Sequence, residues 1–123
     1  MHELSLAQDV LRMCAAQLGG EPGRIERVRI AVGELSAVDP DLLRFAWEAV
    51  TNGGRHEGAA LEVDWRPALQ RCDACGEEPE RATGSWLRHC PRCGGALRVE
   101  GGQELDVLEL SYSPYAPRED DSP

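Results

Sequence analysis

Cys72-Asp73-Ala74-Cys75-Gly76 and Cys90-Pro91-Arg92-Cys93-Gly94-Gly95 are two Cys-x-x-Cys pairs with fourteen residues between them. Four thiolates so spaced can surround one ion in the tetrahedral arrangement that zinc takes in closed structural sites. The glycine after each pair lets the chain turn over the metal with positive φ. When all four positions are protein thiolates, none is left for substrate or water. Such a site shapes the fold and does no chemistry. Iron, a pair of disulfides or a redox dithiol are the other chemistries the spacing allows.

The residues around the pairs agree with a metal-held unit. From Gln70 to Arg98 the only apolar non-cysteine residues are Ala74, Ala82, Trp86, Leu87, Ala96 and Leu97. They cannot form a core, so the metal has to supply the folding energy, on the order of 10 kcal/mol. Without it the segment is expected to unfold while the rest survives. The whole chain, at 123 residues, has room for one modest core beside this unit. A nucleic-acid role is excluded by charge. A net charge of -9, with thirteen arginines, no lysine and twenty-two acids, offers no clustered cations for phosphate. A basic region followed by an apolar run is missing from the start, and no segment approaches the roughly 20 apolar residues of a membrane span. Paired cysteines in metal spacing, with Cys14 left over, point to the cytoplasm.

Upstream, Leu4, Ala7, Leu11, Cys14 and Leu18 recur at three and four residues and predict a helix. Ser5 with Gln8 has the form of a capping box, and Gly19-Gly20 and Pro22-Gly23 end the helix. Cys14 reads as a small buried apolar residue of this stripe. Between Arg24 and Val32 the period changes to two. Val28, Ile30 and Val32 point one way, Arg27, Arg29 and Ala31 the other, as in a half-buried strand. Asp39 is the expected N-cap of a second helix, with Pro40 in the first helical position and Asp41 complementing the dipole. Leu43, Ala46, Trp47 and Val50 form its apolar face, and Asn52-Gly53-Gly54 stop it. Leu61, Val63 and Trp65 alternate in a second strand weakened by Pro67, and residues 105–112 form a third.

The expected fold is therefore α+β: a three-stranded sheet with two helices on one face, plus an inserted zinc-ribbon-like module. The expected division is 1–69 for the first part of the α+β domain, 70–102 for the zinc-binding insert, 103–113 for the last strand and 114–123 for an acidic disordered tail.

With the cysteine site closed, an open metal site has to lie elsewhere. His2 stands next to the chain start, where the Met1 amine, the His2 amide nitrogen and His2 Nδ1 can close a five- and a six-membered chelate ring. Amide nitrogens give up their proton only to metals such as Ni(II) or Cu(II), which accept square-planar nitrogen ligands. Initiator Met removal requires a small second residue, so the Met1 amine is expected to remain. An ordinary exposed terminal histidine is the plain alternative.

Met1-His2-Glu3, Gly33-Glu34-Leu35-Ser36-Ala37-Val38-Asp39, Glu57-Gly58-Ala59-Ala60-Leu61 and the two cysteine pairs together resemble the HypA/HybF family of hydrogenase-maturation nickel metallochaperones. The resemblance runs in order from Met1 to about Ser111. It implies a non-enzyme with Ni2+ as transferred cargo and structural Zn2+ on Cys72, Cys75, Cys90 and Cys93. It also implies nickel ligation by His2, by Glu3 and by the Met1 terminal amine. Asp39 matches an acidic residue that completes the site in some members, and a carboxylate has oxygens enough to cap and ligate. The implied partners are a HypB-type GTPase and the precursor large subunit of [NiFe]-hydrogenase. In some relatives the urease accessory machinery is a partner too. Neither nucleic acid nor membrane is expected, and the chain is expected to be a monomer or weak homodimer.

The remaining candidates have plainer readings. His56, in the polar loop 53–58, is expected to face solvent, with a transient nickel contact as the sharper alternative. His89 is expected to be exposed or to support the knuckle beside it, with a swap in as zinc ligand the sharper alternative. Arg27 and Arg29 are expected to pair with acids on the outer sheet face or to mark a partner surface. Two rival functions remain at this point: a zinc-ribbon protein–protein adaptor without a nickel role, and a redox enzyme using one Cys-x-x-Cys pair.

Overall fold

The computed structural model describes residues 2–19 and 23–114. The element order is α1 (Glu3–Gln17), β1 (Gly23–Gly33), a single 3-10 turn (Glu34–Ser36), α2 (Pro40–Thr51), β2 (Ala60–Arg66), β3 (Leu69–Cys72), β4 (Leu97–Glu100) and β5 (Leu105–Pro114). Two sheets result. The larger has the order β2-β1-β5, and β3 and β4 form a separate hairpin. The expected α+β fold, with its three-stranded sheet, two helices and inserted four-cysteine module, is the fold observed. The hairpin was not foreseen, because two strands of four residues carry no readable alternation. Of the expected tail, residues 115–123 lie outside the described residues.

β1 is the central strand and the most buried one. Ile25, Val28, Ile30, Ala31 and Val32 are all buried. It pairs in parallel with β2, Val28 opposite Leu61 and Ile30 opposite Val63. It pairs antiparallel with β5, Val28 opposite Leu110 and Ile30 opposite Val107. Two register shifts, between Ile25 and Arg27 and between Arg29 and Ile30, leave Glu26 and Leu108 unmatched. Such bulges bend a strand and sharpen its twist. The outer face carries a charge ladder in which Arg27 donates to Glu109 at 2.6 Å, while Glu62 lies 3.6 Å from Arg27 and Glu109 lies 3.5 Å from Arg29. Exposed pairs of this kind each contribute at most about 1 kcal/mol. They keep this face polar, so the helices can cover only the other one.

α2 starts as its sequence dictates. Asp39 Oδ1 accepts from the Asp41 and Leu42 amides at 2.9 and 3.2 Å, with Pro40 following. Leu43, Ala46 and Trp47 are buried, and Trp47 donates its indole N–H to the Ala59 carbonyl at 2.8 Å. α1 departs from expectation twice. It begins at Glu3 with His2 as N-cap and no side-chain cap bond, so Ser5 lies inside the first turn and the capping box does not form. Its buried residues are Leu6, Ala7, Val10 and Cys14, while Leu4 is half exposed. The apolar arc of α1 is wide enough for two overlapping stripes, and only the packing partner decides which is centred. Ala7, Cys14 and Leu18 belong to both. The sheet takes Leu6 and Val10 and leaves Leu4 at the rim.

Chain direction sets where the sites fall. Leu18, at the end of α1, packs 3.3 Å from the position a Gly23 side chain would take, at the start of β1. α1 therefore runs opposite to β1. α2 must return along it, because β1 and β2 are parallel. The starts of α1 and α2, the ends of β1 and β2 and the β3–β4 hairpin thus share one end of the sheet.

Candidate metal centre

The hairpin is the stem on which the cysteine module is built. Cys72 is the last residue of β3, paired with Leu97, the first of β4. Each knuckle then repeats one backbone pattern. The Gly76 amide donates to Cys72 O at 2.9 Å and the Cys72 amide to Glu77 O at 2.9 Å. The Gly94 amide donates to Cys90 O at 2.8 Å and the Cys90 amide to Gly95 O at 2.9 Å. Both turns need a residue at φ +77°, and Gly76 and Gly94 supply it without a Cβ penalty.

The four sulfurs lie within 4.8 Å of one another. Cys72 Sγ is 3.4 Å from Cys93 Sγ, and Cys75 Sγ is 3.7 Å from Cys90 Sγ. A tetrahedral ion with metal–sulfur bonds of about 2.3 Å places its sulfurs about 3.8 Å apart. The cage therefore fits an ion of zinc's size and donor preference. Cys72 and Cys90 are buried and Cys75 and Cys93 exposed. Without an ion the thiols divide the protons unequally. The Cys75 amide hydrogen bond draws Cys72 down to about 7. At Cys75 the Glu77 amide favours the thiolate, but partial desolvation of the sulfur and its contacts with the neighbouring sulfurs outweigh it and push the group up to about 12. Metal loading removes this conflict by displacing the protons.

His2 stands in extended backbone (φ -81°, ψ 128°), exposed, its imidazole making no cap bond, and its carbonyl accepts the Leu6 amide at 3.1 Å. Glu3 is the first helical residue. Met1 lies outside the described residues. Asp39 is exposed and caps α2 as described, at the same end of the sheet as His2. Among the described residues, the four cysteines are the one group of three or more metal-binding side chains within ligating range. His2, Glu3 and Asp39 are not drawn together into such a group.

Two side chains depart from their sequence reading. His56 does not simply face solvent: its Nδ1 accepts the Ile25 amide at 2.9 Å, and the residue is partly buried. Desolvation first, then the Arg55 and Arg24 cations, hold its pKa below the usual 6.5. The sequence missed this because the loop is polar throughout, while the strand end it caps lies thirty-one residues away. Glu34, within the Gly33–Asp39 motif, has a side chain only 6% exposed, and Arg81 is 5% exposed against it. Glu34 also accepts the Ala68 amide at 3.0 Å and the Gly84 amide at 2.8 Å. These bonds, Arg81's first, hold the carboxyl down at about 2. An acid directly after a strand of buried residues was the available signal.

Comparison with known proteins bears on this arrangement. The family model described as "Hydrogenase/urease nickel incorporation, metallochaperone, hypA" matches residues 1–112. The chain is 39% identical over 112 residues to the hydrogenase maturation factor HypA of Geobacter metallireducens, covering 89% of this chain and 97% of that one. It is 41% identical over 115 residues to that of Syntrophus aciditrophicus, with the same coverage. The solution structure of the Ni metallochaperone HypA from Helicobacter pylori superposes with a TM-score of 0.55 at 24% identity, covering 89% of this chain and 96% of that one, a likeness of fold. The match spans the α+β body and the cysteine module alike, and the chain belongs to the HypA family of hydrogenase-maturation nickel metallochaperones, which are not enzymes.

Proposed function

We propose that the protein carries Ni(II) at its N-terminus, on the Met1 amine, the His2 amide and imidazole, and Glu3, with Asp39 contributing a carboxylate, and hands it on during [NiFe]-hydrogenase maturation. Zn(II) on Cys72, Cys75, Cys90 and Cys93 holds the module in shape and takes no part in the transfer. Residues 1–69 and 103–113 serve as the nickel-binding body and 70–102 as the zinc-binding module. A HypB-type GTPase and the hydrogenase large-subunit precursor are the proposed partners, and urease accessory proteins are a further one, in line with the family description. The cytoplasm is the proposed compartment. Among the described residues no helix is long and apolar enough to cross a membrane.

The observation that carries the reading is that His2 precedes α1 in extended backbone, exposed and uncommitted to capping. A terminal site of that kind is open on most sides, so a partner can take the metal ligand by ligand without unfolding anything. Copper outranks nickel at nitrogen sites, so selectivity comes from partner and supply. Nickel titration of the untagged protein against a variant with one residue added before Met1 tests the chelate. The variant is expected to bind at least about tenfold more weakly, since the amine leaves the five-membered ring. Equal affinities would remove the terminal site and leave the adaptor reading.

A further inference from the structure

Glu34 sits at the seam between the body and the cysteine module. Its own turn follows β1. The Ala68 amide that donates to it opens the module's stem, and Gly84 and Arg81 come from the loop between the two cysteine pairs. Arg81 grips it with both terminal nitrogens and has further partners of its own. Nη2 donates to Ala68 O at 2.6 Å, Nη1 to Ala82 O at 3.2 Å and to Ser85 O at 3.3 Å, and the guanidinium lies 4.0 Å over the Trp86 ring. An ion pair this buried stands only while both members and their hydrogen bonds are in place. The body side of the seam is rigid. Gly33 donates to Glu104 O at 2.7 Å and Leu35 to Gly102 O at 2.6 Å, and a Cβ on Gly33 would fall 2.1 Å from Gly102 O.

The loop that brings Arg81 has little else to hold it. It runs from Gly76 to His89, tethered at each end by a cysteine. Trp86 is 42% exposed, and within the module the loop is tied by two 3.0 Å bonds between the Gln70 amide group and the Leu87 backbone, by the Cys72 amide on Glu77 O and by the Arg71–Glu78 and Arg92–Glu77 pairs. Ordering fourteen residues costs more than these contacts return. Closure of the two knuckles on an ion makes up the difference.

We infer that Glu34 and Arg81 form a latch conditional on metal: an ion in the four-cysteine cage orders the loop, the loop presents Arg81, and Arg81 locks the module onto the turn after β1. Loss of the ion withdraws Arg81 and leaves the module hinged at Ala68 and Gly102. Glu34 and Arg81 are positioning residues, and the inference is independent of where nickel binds.

Ala68 and Gly84 donate directly to Glu34, so their amide hydrogen exchange reads the latch. In full-length protein, stripping zinc with a chelator is expected to speed exchange at Ala68 and Gly84 by about tenfold or more, with Val28 and Ile30 unaffected. R81Q is expected to show the same fast exchange while zinc-loaded, with an unchanged thiolate-to-metal absorption on Co(II) substitution. A merely structural contact would lose protection in R81Q but not on zinc removal from the native chain. Retained protection in either case overturns the latch. Should R81Q fail to fold, R81K carries the same comparison, because it leaves both Glu34 acceptors in place and loses the two-pronged grip. Nickel titration of a His2→Ala variant reports separately on the terminal site.

Discussion

His56 illustrates what a single residue does when its loop is anchored to a distant strand. Its Nδ1 accepts the Ile25 amide, which only the neutral ring can do. Burial and two arginines hold its folded pKa below the unfolded value of 6.5. Below pH 6.5 the unfolded chain therefore binds the proton first, and the stability this group contributes is lost as pH falls through that value. Chemical denaturation between about pH 7.5 and pH 5.5 should show that loss, and His56→Asn should flatten the slope over the same range. Glu34 acts in the same direction over a more acid window. With its folded pKa at about 2 against the ordinary 4.5, its contribution is complete above 4.5 and disappears as pH falls toward about 2. Neither residue could be assigned from the sequence, since their partners lie 31 and 47 positions away and polar side chains leave no periodic trace.

At the scale of elements, α2 was legible nearly to the residue and α1 was not. α2 has Asp39-Pro40 at its start, and Leu43, Ala46 and Trp47 are buried as their spacing predicts, while Leu42 and Phe45 stay exposed. α1 has no cap of its own and an arc broad enough for two stripes. β1 and β2 were legible from alternation alone, whereas β3 and β4 follow from the cysteine knuckles they join. Asp39 also allows cap and ligand to be separated. Asp39→Ala removes both oxygens and should cost about 1 kcal/mol of stability by denaturant titration. Asp39→Asn caps as well as Asp and should leave stability within a few tenths of a kcal/mol. If the carboxylate ligates nickel, both variants lose affinity together. If it only caps, Asp39→Asn binds nickel as the native chain does.

The whole molecule has two sources of cohesion. The body is held by a continuous apolar cluster that includes Ile25, Val28, Ile30, Leu43 and Trp47. The module has no such cluster, and its order depends on four sulfurs and the seam. Chelation in the absence of denaturant should therefore release the module while the body keeps its helical circular dichroism and a cooperative thermal transition. A single transition that vanishes with the metal would mean that the body depends on the ion as well. The cage was legible from spacing alone, because a four-ligand site needs only side-chain type and reach. The terminal chelate was proposed from backbone chemistry at Met1 and His2, which has no dependence on packing.

The module leaves the body from β2 and returns to β5, and these strands do not touch, since β1 lies between them. Any shorter connection grafted in place of residues 67–104 would have to bridge two strand spacings, about 10 Å. It would have to do so directly above Gly33, where Gly102 already presses close enough to forbid a side chain. The insert is thus a cassette with a fixed footprint. A replacement of four or five residues, laid over the side-chain-free Gly33, is long enough to close the sheet and yield a body free of the cysteines.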